Sequence, residues 1–336
     1  MSSRSPAAAA SVAASFPLRR RPLGRRLRHA AAPFGLLLPA AAVIAAVLAY
    51  PLYYLVRLSF QHYGLFQLVR HKGEAIGTAN YTQIFHDSLF WHTLLRTVAV
   101  TAVCVVLTVV LATLIALLLV ELSSWVRLLL TAGLIFVWAT PVVVAISIWS
   151  WMIDFEFGVA NWTLTKLGVG NFNHHDWLAN AWSGWGVIIS LIVWGAIPFV
   201  AITLFAGLTQ VSSELLEAAA IDGASRWRAF RDITLPLLKP IYVIVISLSI
   251  IWNFQVFNQI WLITNGTPSP DYYMMAVYSY VTSFKISEYG LGSAIAVVMV
   301  AMMGLISVFY VRQMVKLGDV EWARHSQERR SQVSGR

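Results

Sequence analysis

The polar residues that could recognise a ligand lie within a strongly apolar run near residue 250. Ser249, Trp252 and Asn253 fall within one helical turn, and Gln255 and Asn258 follow them. Amides deep in an apolar helix are costly unless they face protein or water, so they mark either a helix contact or a substrate path. An aromatic face beside amides and a hydroxyl also suits a sugar, which stacks on the ring and hydrogen-bonds through its hydroxyls. From the residues alone, helix packing and sugar binding stay equally open.

The carboxylates and histidines that could perform acid–base chemistry or bind a metal do not show the spacing that such sites require. Asp154, Glu156 and the adjacent pair His174 and His175 share one polar loop. Neighbouring loop histidines rarely converge on one ion, and nothing fixes a carboxylate pair at the separation of about 5 Å that a retaining glycosidase needs. The sequence also has no G-x-x-x-x-G-K-[ST] phosphate loop. We therefore expect no catalytic residue, no metal site and no cofactor in this chain.

Long apolar runs must position the polar residues near 250. The chain is 58% hydrophobic and 12% charged, whereas about a quarter of residues are charged in soluble proteins. A helix needs about 20 apolar residues to cross a bilayer. The sequence predicts an all-α integral membrane protein whose six transmembrane helices cover about 34–56, 98–120, 128–150, 185–207, 241–263 and 290–311. Pro141 should kink or unwind the third of them.

The basic residues predict how the chain lies in the membrane. With a cytoplasmic N-terminus, 18 of the 24 lysines and arginines fall on the inner side. The positive-inside rule then favours a multi-pass protein of the cell (inner) membrane with both termini in the cytoplasm. The formal net charge of +9 is better explained by this topology and by contact with anionic lipid than by nucleic-acid binding.

Residues 217–240 form the one long polar interval between two apolar runs. Ser213 and Glu214 suit a helix start, and Gly223 should adopt the positive φ of a sharp reversal. A second helix is predicted near Ser225, with Trp227, Phe230 and Ile233 on one face and an Arg228–Asp232 pair on the other. The aromatic face is expected to anchor the loop to the membrane domain. Pro236 and Pro240 are expected to end that helix and to begin the next apolar run.

This loop resembles the EAA loop of ABC importer permeases, and the match consists of Glu217, Ala218, Ala219, Gly223, Ile233, Leu235 and Pro236. In that family the loop is a coupling helix that sits in a cleft of a cytoplasmic ATPase subunit. The resemblance implies the MetI-like permease fold and assigns ATPase coupling to Glu217, Ala218, Ala219, Asp222, Gly223 and Pro236. It also implies a second homologous permease subunit, an ABC ATPase dimer that holds ATP and Mg, and an extracytoplasmic solute-binding protein.

The region 249–268 is similar to the fifth core helix of carbohydrate-uptake permeases of the F-type found in maltose importers. Position by position, the similarity assigns sugar contacts to Ser249, Trp252 and Asn253, and to Phe199 in the preceding span. Val256 replaces an amide of that family, and Asn258 or Gln255 could compensate. Ser212 and Thr267 are two further departures from the family pattern.

The sequence thus predicts a permease subunit that imports a sugar or oligosaccharide. Its expected organisation is a flexible basic tail over 1–30, a six-helix membrane domain over 31–318 and a C-terminal cytoplasmic tail over 319–336. A permease for a non-sugar solute and an ion-coupled secondary transporter are the alternatives. The latter would need an ionisable residue buried in a span, and the six runs contain no Asp, Glu, Lys or Arg.

Overall fold

A computed structural model describes residues 23–334, with side chains described for residues 37–314. The chain divides into two compact units, Met1–Tyr54 and Leu55–Arg336. In the first unit, the described side chains from residue 37 to 54 are all exposed. The second unit contains the cavity and the hairpin described below.

Helices form nearly all of the regular structure, apart from one short antiparallel pair of strands in which Gln61 lies opposite Ala75. The first part of the chain forms α1 (Leu23–Ser59), β1 (Gln61–His62), α2 (Leu65–Arg70), β2 (Glu74–Ala75) and α3 (Ala79–His86). The middle of the chain forms α4 (Ser88–Glu121), α5 (Ser124–Ala139), α6 (Val142–Met152), α7 (Val159–Lys166), α8 (Ala181–Leu208) and α9 (Ser213–Ile221). The remainder forms α10 (Arg226–Ala229), a π-helix (Phe230–Thr234), α11 (Leu235–Phe254), α12 (Asn258–Ile263), a 3-10 turn (Pro270–Tyr272), α13 (Met275–Tyr280), a second π-helix (Val281–Lys285) and α14 (Tyr289–Ser334).

The structure confirms the prediction of six membrane-spanning segments. Five helical stretches are long and apolar enough to cross a bilayer: Leu37–Ser59, Ser88–Glu121, Ala181–Leu208, Arg226–Phe254 and Tyr289–Met314. The helices α5 and α6 meet the same criteria when they are taken together, with a bend of 98° between them, and counted as one broken span they make the sixth. The bend lies at Thr140 and Pro141, as predicted, because the residue before a proline is forced out of the helical region.

The predicted limits of the fifth span are wrong. Pro236 and Pro240 do not end a helix, since the stretch Arg226–Phe254 runs through both prolines as one span. The π-helix just before Pro236 uses wider hydrogen bonds, such as Leu235 N to Phe230 O, and Pro236 then sits in the first turn of α11 where no amide proton is needed. The real break falls at residues 255–257, between α11 and α12.

The core of the second unit is built on α4 and α8, which pack along their lengths. The buried face of α4 carries small side chains at intervals of three or four residues, which allows close approach of the two helices. These residues are Thr93, Thr97, Thr101, Cys104, Thr108, Ala112 and Ala116. The lone cysteine, Cys104, is a free buried thiol within this face.

A segment that we call the strap (residues 264–280) crosses the starting ends of α4 and α8. The Tyr272 hydroxyl donates to the carbonyls of Leu178 (2.8 Å) and Asn180 (3.1 Å), just before α8 begins. Burial raises the pKa of Tyr272, so this hydroxyl stays a donor. At α4, Arg96 donates to the carbonyls of Pro270 (2.7 Å) and Tyr273 (3.2 Å).

Two further hydrogen bonds join the strap to α4. The Met275 amide donates to Thr97 Oγ1 (3.0 Å), and the Tyr278 hydroxyl donates to Asp87 Oδ2 (2.8 Å). Asp87 also caps α4 by accepting from the Leu89 amide. The strap is therefore an integral part of the folded unit.

The predicted tails only partly coincide with described residues. Residues 1–22 of the predicted N-terminal tail, and residues 335–336, lie outside the described residues. The backbone of residues 23–30 belongs to α1, and that of residues 319–334 belongs to α14. The domain limits and the cytoplasmic placement of both tails stay predictions.

Candidate functional site

A cavity of about 250 Å³ opens between the bent pair α5 and α6, helix α8 and helix α11. Every side chain that lines it is neutral. The lining consists of Val137, Trp138, Thr140, Val142, Ala145, Leu191, Ile192, Trp194, Gly195, Ala196, Phe199, Val200, Ser249, Trp252, Asn253, Val256 and Gln259. Such a pocket can hold an uncharged ligand by stacking and hydrogen bonding.

Two residues in the middle of α8 shape one wall of the cavity. Pro198 lies inside the helix and has no amide proton to donate to the carbonyl of Trp194, one turn earlier. At Gly195, no heavy atom lies within 4 Å of the position that a Cβ would occupy, so the wall is open there. The helix thus lacks the hydrogen bond that residue 198 would donate, next to an open part of the cavity wall.

Three aromatic rings from three different helices line the cavity as a continuous row. Trp138 of α5 stacks on Phe199 of α8, with ring centroids 6.1 Å apart and 24° between the planes. Phe199 in turn meets Trp252 of α11 edge-on at 5.2 Å. Aromatic faces of this kind bind the apolar faces of sugar rings.

The polar part of the cavity comes from α11. Ser249 and Asn253 are both buried, and one amide proton of Asn253 is donated to the Ser249 carbonyl at 2.7 Å. The second amide proton and the carbonyl oxygen of Asn253 form no other hydrogen bond within the described residues, which leaves a donor and an acceptor for a ligand. Gln259, from the start of α12, adds another amide.

Four of the five predicted ligand residues come together here: Phe199, Ser249, Trp252 and Asn253. Asn258 does not line this cavity; it is exposed at the first turn of α12, and its neighbour Gln259 lines the cavity instead. The reason is the break at residues 255–257, which changes the helical register after Phe254. Sequence reasoning missed Trp138 and Trp194, although Trp138 precedes the predicted break at Pro141 by only three residues.

The two histidines of the polar loop face different neighbours. His174 lies against the ring of Phe155, and its Nδ1 is 3.4 Å from Glu156 Oε2 at an exposed position. His175 instead packs edge-on against Trp177. The two imidazoles therefore do not point at a common centre.

The predicted helix-turn-helix is present, and we call residues 213–229 the coupling hairpin. Helix α9 ends at Ile221, and Gly223 adopts a φ of +77° in the turn, as predicted. The second helix, predicted to begin near Ser225, is α10, and Ser225 caps it by accepting from the Arg228 amide at 3.3 Å. The expected Arg228–Asp232 pair is replaced by an Arg231–Asp232 ion pair at 2.7 Å.

The coupling hairpin is held only lightly by the rest of the chain. No residue of α9 or α10 is buried, and the predicted coupling residues Glu217, Ala218, Asp222, Gly223 and Pro236 are exposed, with Ala219 half-buried. Trp227 stacks on Phe230 at 5.7 Å, yet it remains 68% exposed. The prediction that Trp227 anchors the hairpin is therefore wrong. An exposed helix with this alanine face can dock into a partner.

Comparison with known proteins agrees with this geometry. Residues 108–317 match the family described as "Binding-protein-dependent transport system inner membrane component". The diacetylchitobiose uptake system permease protein DasB of Streptomyces coelicolor is 40% identical, over 87% of this chain and 89% of its own length. The trehalose/maltose transport system permease protein MalF of Thermococcus litoralis is 32% identical, over 70% of this chain and 79% of its own.

Among solved structures, a bacterial ABC transporter involved in the import of the acidic polysaccharide alginate has a chain with a similar fold. The TM-score is 0.71 at 19% sequence identity, over 88% of this chain and 98% of that chain. At this identity the likeness concerns the fold alone.

Proposed function

The chain belongs to the family of inner membrane components of binding-protein-dependent transport systems, and we propose that it is the permease subunit of an ATP-driven importer of an uncharged sugar or oligosaccharide. One observation carries the choice of substrate. The cavity combines a row of three aromatic rings with a buried amide that has a free donor and a free acceptor, and no charged side chain lines it.

The relatives support a sugar as the substrate. DasB is named for diacetylchitobiose uptake, and the Thermococcus protein is named for trehalose and maltose transport. In this chain, Phe199, Trp252 and Trp138 would stack on sugar rings. Asn253 and Ser249 would bind their hydroxyls.

The coupling hairpin is the proposed contact with a separate ATPase dimer, which would bind ATP and Mg. Within it, Glu217, Ala218, Ala219, Asp222 and Gly223 form the docking surface, and Pro236 begins the helix that leads to the cavity. A second homologous permease would complete the pathway, and an extracytoplasmic binding protein would deliver the sugar. Both termini and the hairpin would then lie in the cytoplasm, in agreement with the distribution of basic residues.

Coupling in such an importer requires that the ligand binds the outward and inward states with different affinity. The stretch Arg226–Phe254 joins the hairpin to Ser249, Trp252 and Asn253 in a single span. A displacement of the docked hairpin would therefore reach the sugar contacts directly.

Reconstituted transport tests the proposal. The chain is purified with its co-expressed partner subunits, placed in proteoliposomes, and given labelled neutral sugars, uronic acids and amino acids in turn. We expect uptake of a neutral sugar that requires ATP and the binding protein and that persists after ionophores collapse all ion gradients. Uptake of amino acids alone would identify a non-sugar importer, and uptake lost on collapse of an ion gradient would identify a secondary transporter.

A further inference from the structure

A second concave surface lies at the hairpin end of the molecule, far along α4 and α8 from the strap. It is a groove of about 610 Å³ between the last turns of α4, the end of α8 and the coupling hairpin. Its walls are mostly aliphatic and aromatic. They are formed by Leu117, Leu118, Val120, Glu121, Leu208, Val211, Leu216, Ala220, Ala224, Arg226, Trp227, Ala229, Phe230 and Thr234.

The groove is continuous with an exposed apolar surface of a membrane-spanning helix. Leu118 and Val120 line the groove and are also exposed on α4, one of the spans. An apolar groove beside the end of a span offers the same environment as the hydrocarbon region of a bilayer. An acyl chain can enter it from the membrane without crossing water.

The rim of the groove carries the groups that a phospholipid headgroup needs. The Arg226 side chain is 93% exposed, and its ion pair with Glu121 at 3.6 Å is exposed as well. An exposed pair of this kind is weak, so a phosphate can compete for the arginine. Arg228 and Arg231 follow on the same short stretch, while the carboxylates Glu214 and Glu217 lie on α9.

Trp227 supplies the element expected at the boundary between headgroups and acyl chains. Its indole lines the groove next to Arg226, stacks on Phe230 and is largely exposed. Tryptophan rings are enriched at this level of the bilayer because one edge is polar and the rest is apolar. The position explains why this residue is exposed although it was expected to anchor the hairpin.

We propose that this groove binds one anionic phospholipid, with an acyl chain against Leu118, Val120 and Leu208 and the headgroup phosphate on Arg226. The lipid would sit between the coupling hairpin and the ends of two spans, so it would set how firmly the hairpin is held. The inference goes beyond the transported solute and depends only on the chain being a membrane component.

Quenching of tryptophan fluorescence by brominated lipid tests the site in the complete transporter. The complex is reconstituted in phosphatidylcholine vesicles that contain brominated phosphatidylglycerol or, separately, brominated phosphatidylcholine. The contribution of Trp227 is the difference between the wild type and Trp227→Phe. We expect phosphatidylglycerol to quench this contribution at a concentration about fivefold lower, the preference that one basic residue gives near an anionic surface.

Two variants make the test specific to the groove. Arg226→Gln should abolish the preference for phosphatidylglycerol. Arg228→Gln should keep it, because Arg228 lies two residues further along the chain and does not line the groove. Ala224→Phe fills the groove and should abolish quenching by both lipids. The arginine pair keeps the proposal testable if Ala224→Phe does not assemble.

Three results would overturn the proposal. The first is an equal effect of Arg226→Gln and Arg228→Gln, and the second is equal quenching by both brominated lipids in the wild type. The third is quenching of Trp227 that appears only after the ATPase subunits have been stripped, because a partner protein would then fill the groove in the complete transporter.

Discussion

The strap and the coupling hairpin close opposite ends of the same two helices, α4 and α8, and they are held in opposite ways. The strap buries Tyr272, Met275 and Tyr278 and forms hydrogen bonds to both helices. The hairpin buries no residue of its two helices, and it meets α4 through the exposed Glu121–Arg226 pair and the groove beside it.

This difference shows which end of the α4–α8 pair is held in place by contacts within the chain. Tyrosine and arginine hydrogen bonds fix the strap without any partner, since each donor has a carbonyl or carboxylate acceptor inside the same unit. The hairpin instead displays its alanines and carboxylates outward. Substitutions at the strap should therefore alter stability, and substitutions at the hairpin should alter transport.

The largest expected effect is on uptake, from changes in the hairpin turn. Gly223→Pro should reduce uptake to background because proline fixes φ near −65°, whereas the turn requires +77°. Glu217→Lys should do the same by reversing a charge on the docking helix. The protein should still reach the membrane in normal amounts, as judged by immunoblot.

The matched control for the turn is Gly223→Asn, because asparagine tolerates positive φ better than other side chains. We expect it to keep measurable uptake. Normal uptake by Gly223→Pro and Glu217→Lys together would contradict the assignment of the hairpin to coupling.

The next largest effect is expected on the helix that runs from the hairpin to the cavity. Asn253→Ala should lower the apparent affinity for sugar about tenfold, because loss of a buried hydrogen bond costs roughly 1–3 kcal/mol. Asn258→Ala, which changes the same residue type outside the cavity lining, should leave the affinity unchanged. Concentration-dependent uptake measures both variants, and equal losses would argue against the cavity as the sugar site.

A smaller effect, on stability rather than transport, is expected at the strap. A Cβ at residue 184 would overlap the Tyr272 ring and hydroxyl, so Gly184→Ala should destabilise the protein by roughly 1–3 kcal/mol and lower its melting temperature. Gly186→Ala meets no atom within 4 Å and should maintain or raise the melting temperature, since alanine favours helix. Thermal unfolding in detergent compares the two variants, and the same shift in both would contradict the strap as a stabilising element.

The smallest effect is expected where the hairpin meets α4. Glu121→Gln removes an ion pair whose side chains are 66% and 93% exposed, and exposed pairs contribute about 0–1 kcal/mol. The melting temperature should change by no more than about 1 °C. A drop as large as that of Gly184→Ala would mean that the hairpin is fixed as firmly as the strap.

Much of the architecture could be predicted because it follows from local chemistry. The apolar runs gave six spans, Pro141 marked the bend of the third, and Gly223 and Ser225 marked the turn and cap of the hairpin. These features depend on neighbouring residues alone, which a sequence shows directly.

The fifth span could not be predicted correctly because its limits depend on hydrogen bonding that residue types do not reveal. The two prolines look like stops, but a π-helix directly precedes Pro236, and Pro240 lies inside α11 without ending it. The true break at residues 255–257 contains neither proline nor glycine. Because of this break, Asn258 does not share the cavity with Asn253. Trp138 could not be predicted as a cavity residue because it comes from α5, which meets α11 only in the folded chain.

The π-helix at Phe230–Thr234 sets the rotation of α11 about its own axis relative to the hairpin, and so the direction in which the cavity residues of α11 point. A wide turn takes up one residue more than an α-turn, and each α-helical residue rotates the chain by about 100°. In an unbroken α-helix, the same sequence would turn the face with Ser249 and Asn253 about 100° away from its present direction relative to the hairpin. One irregular turn thus sets the alignment between the proposed docking surface and the proposed sugar-binding face.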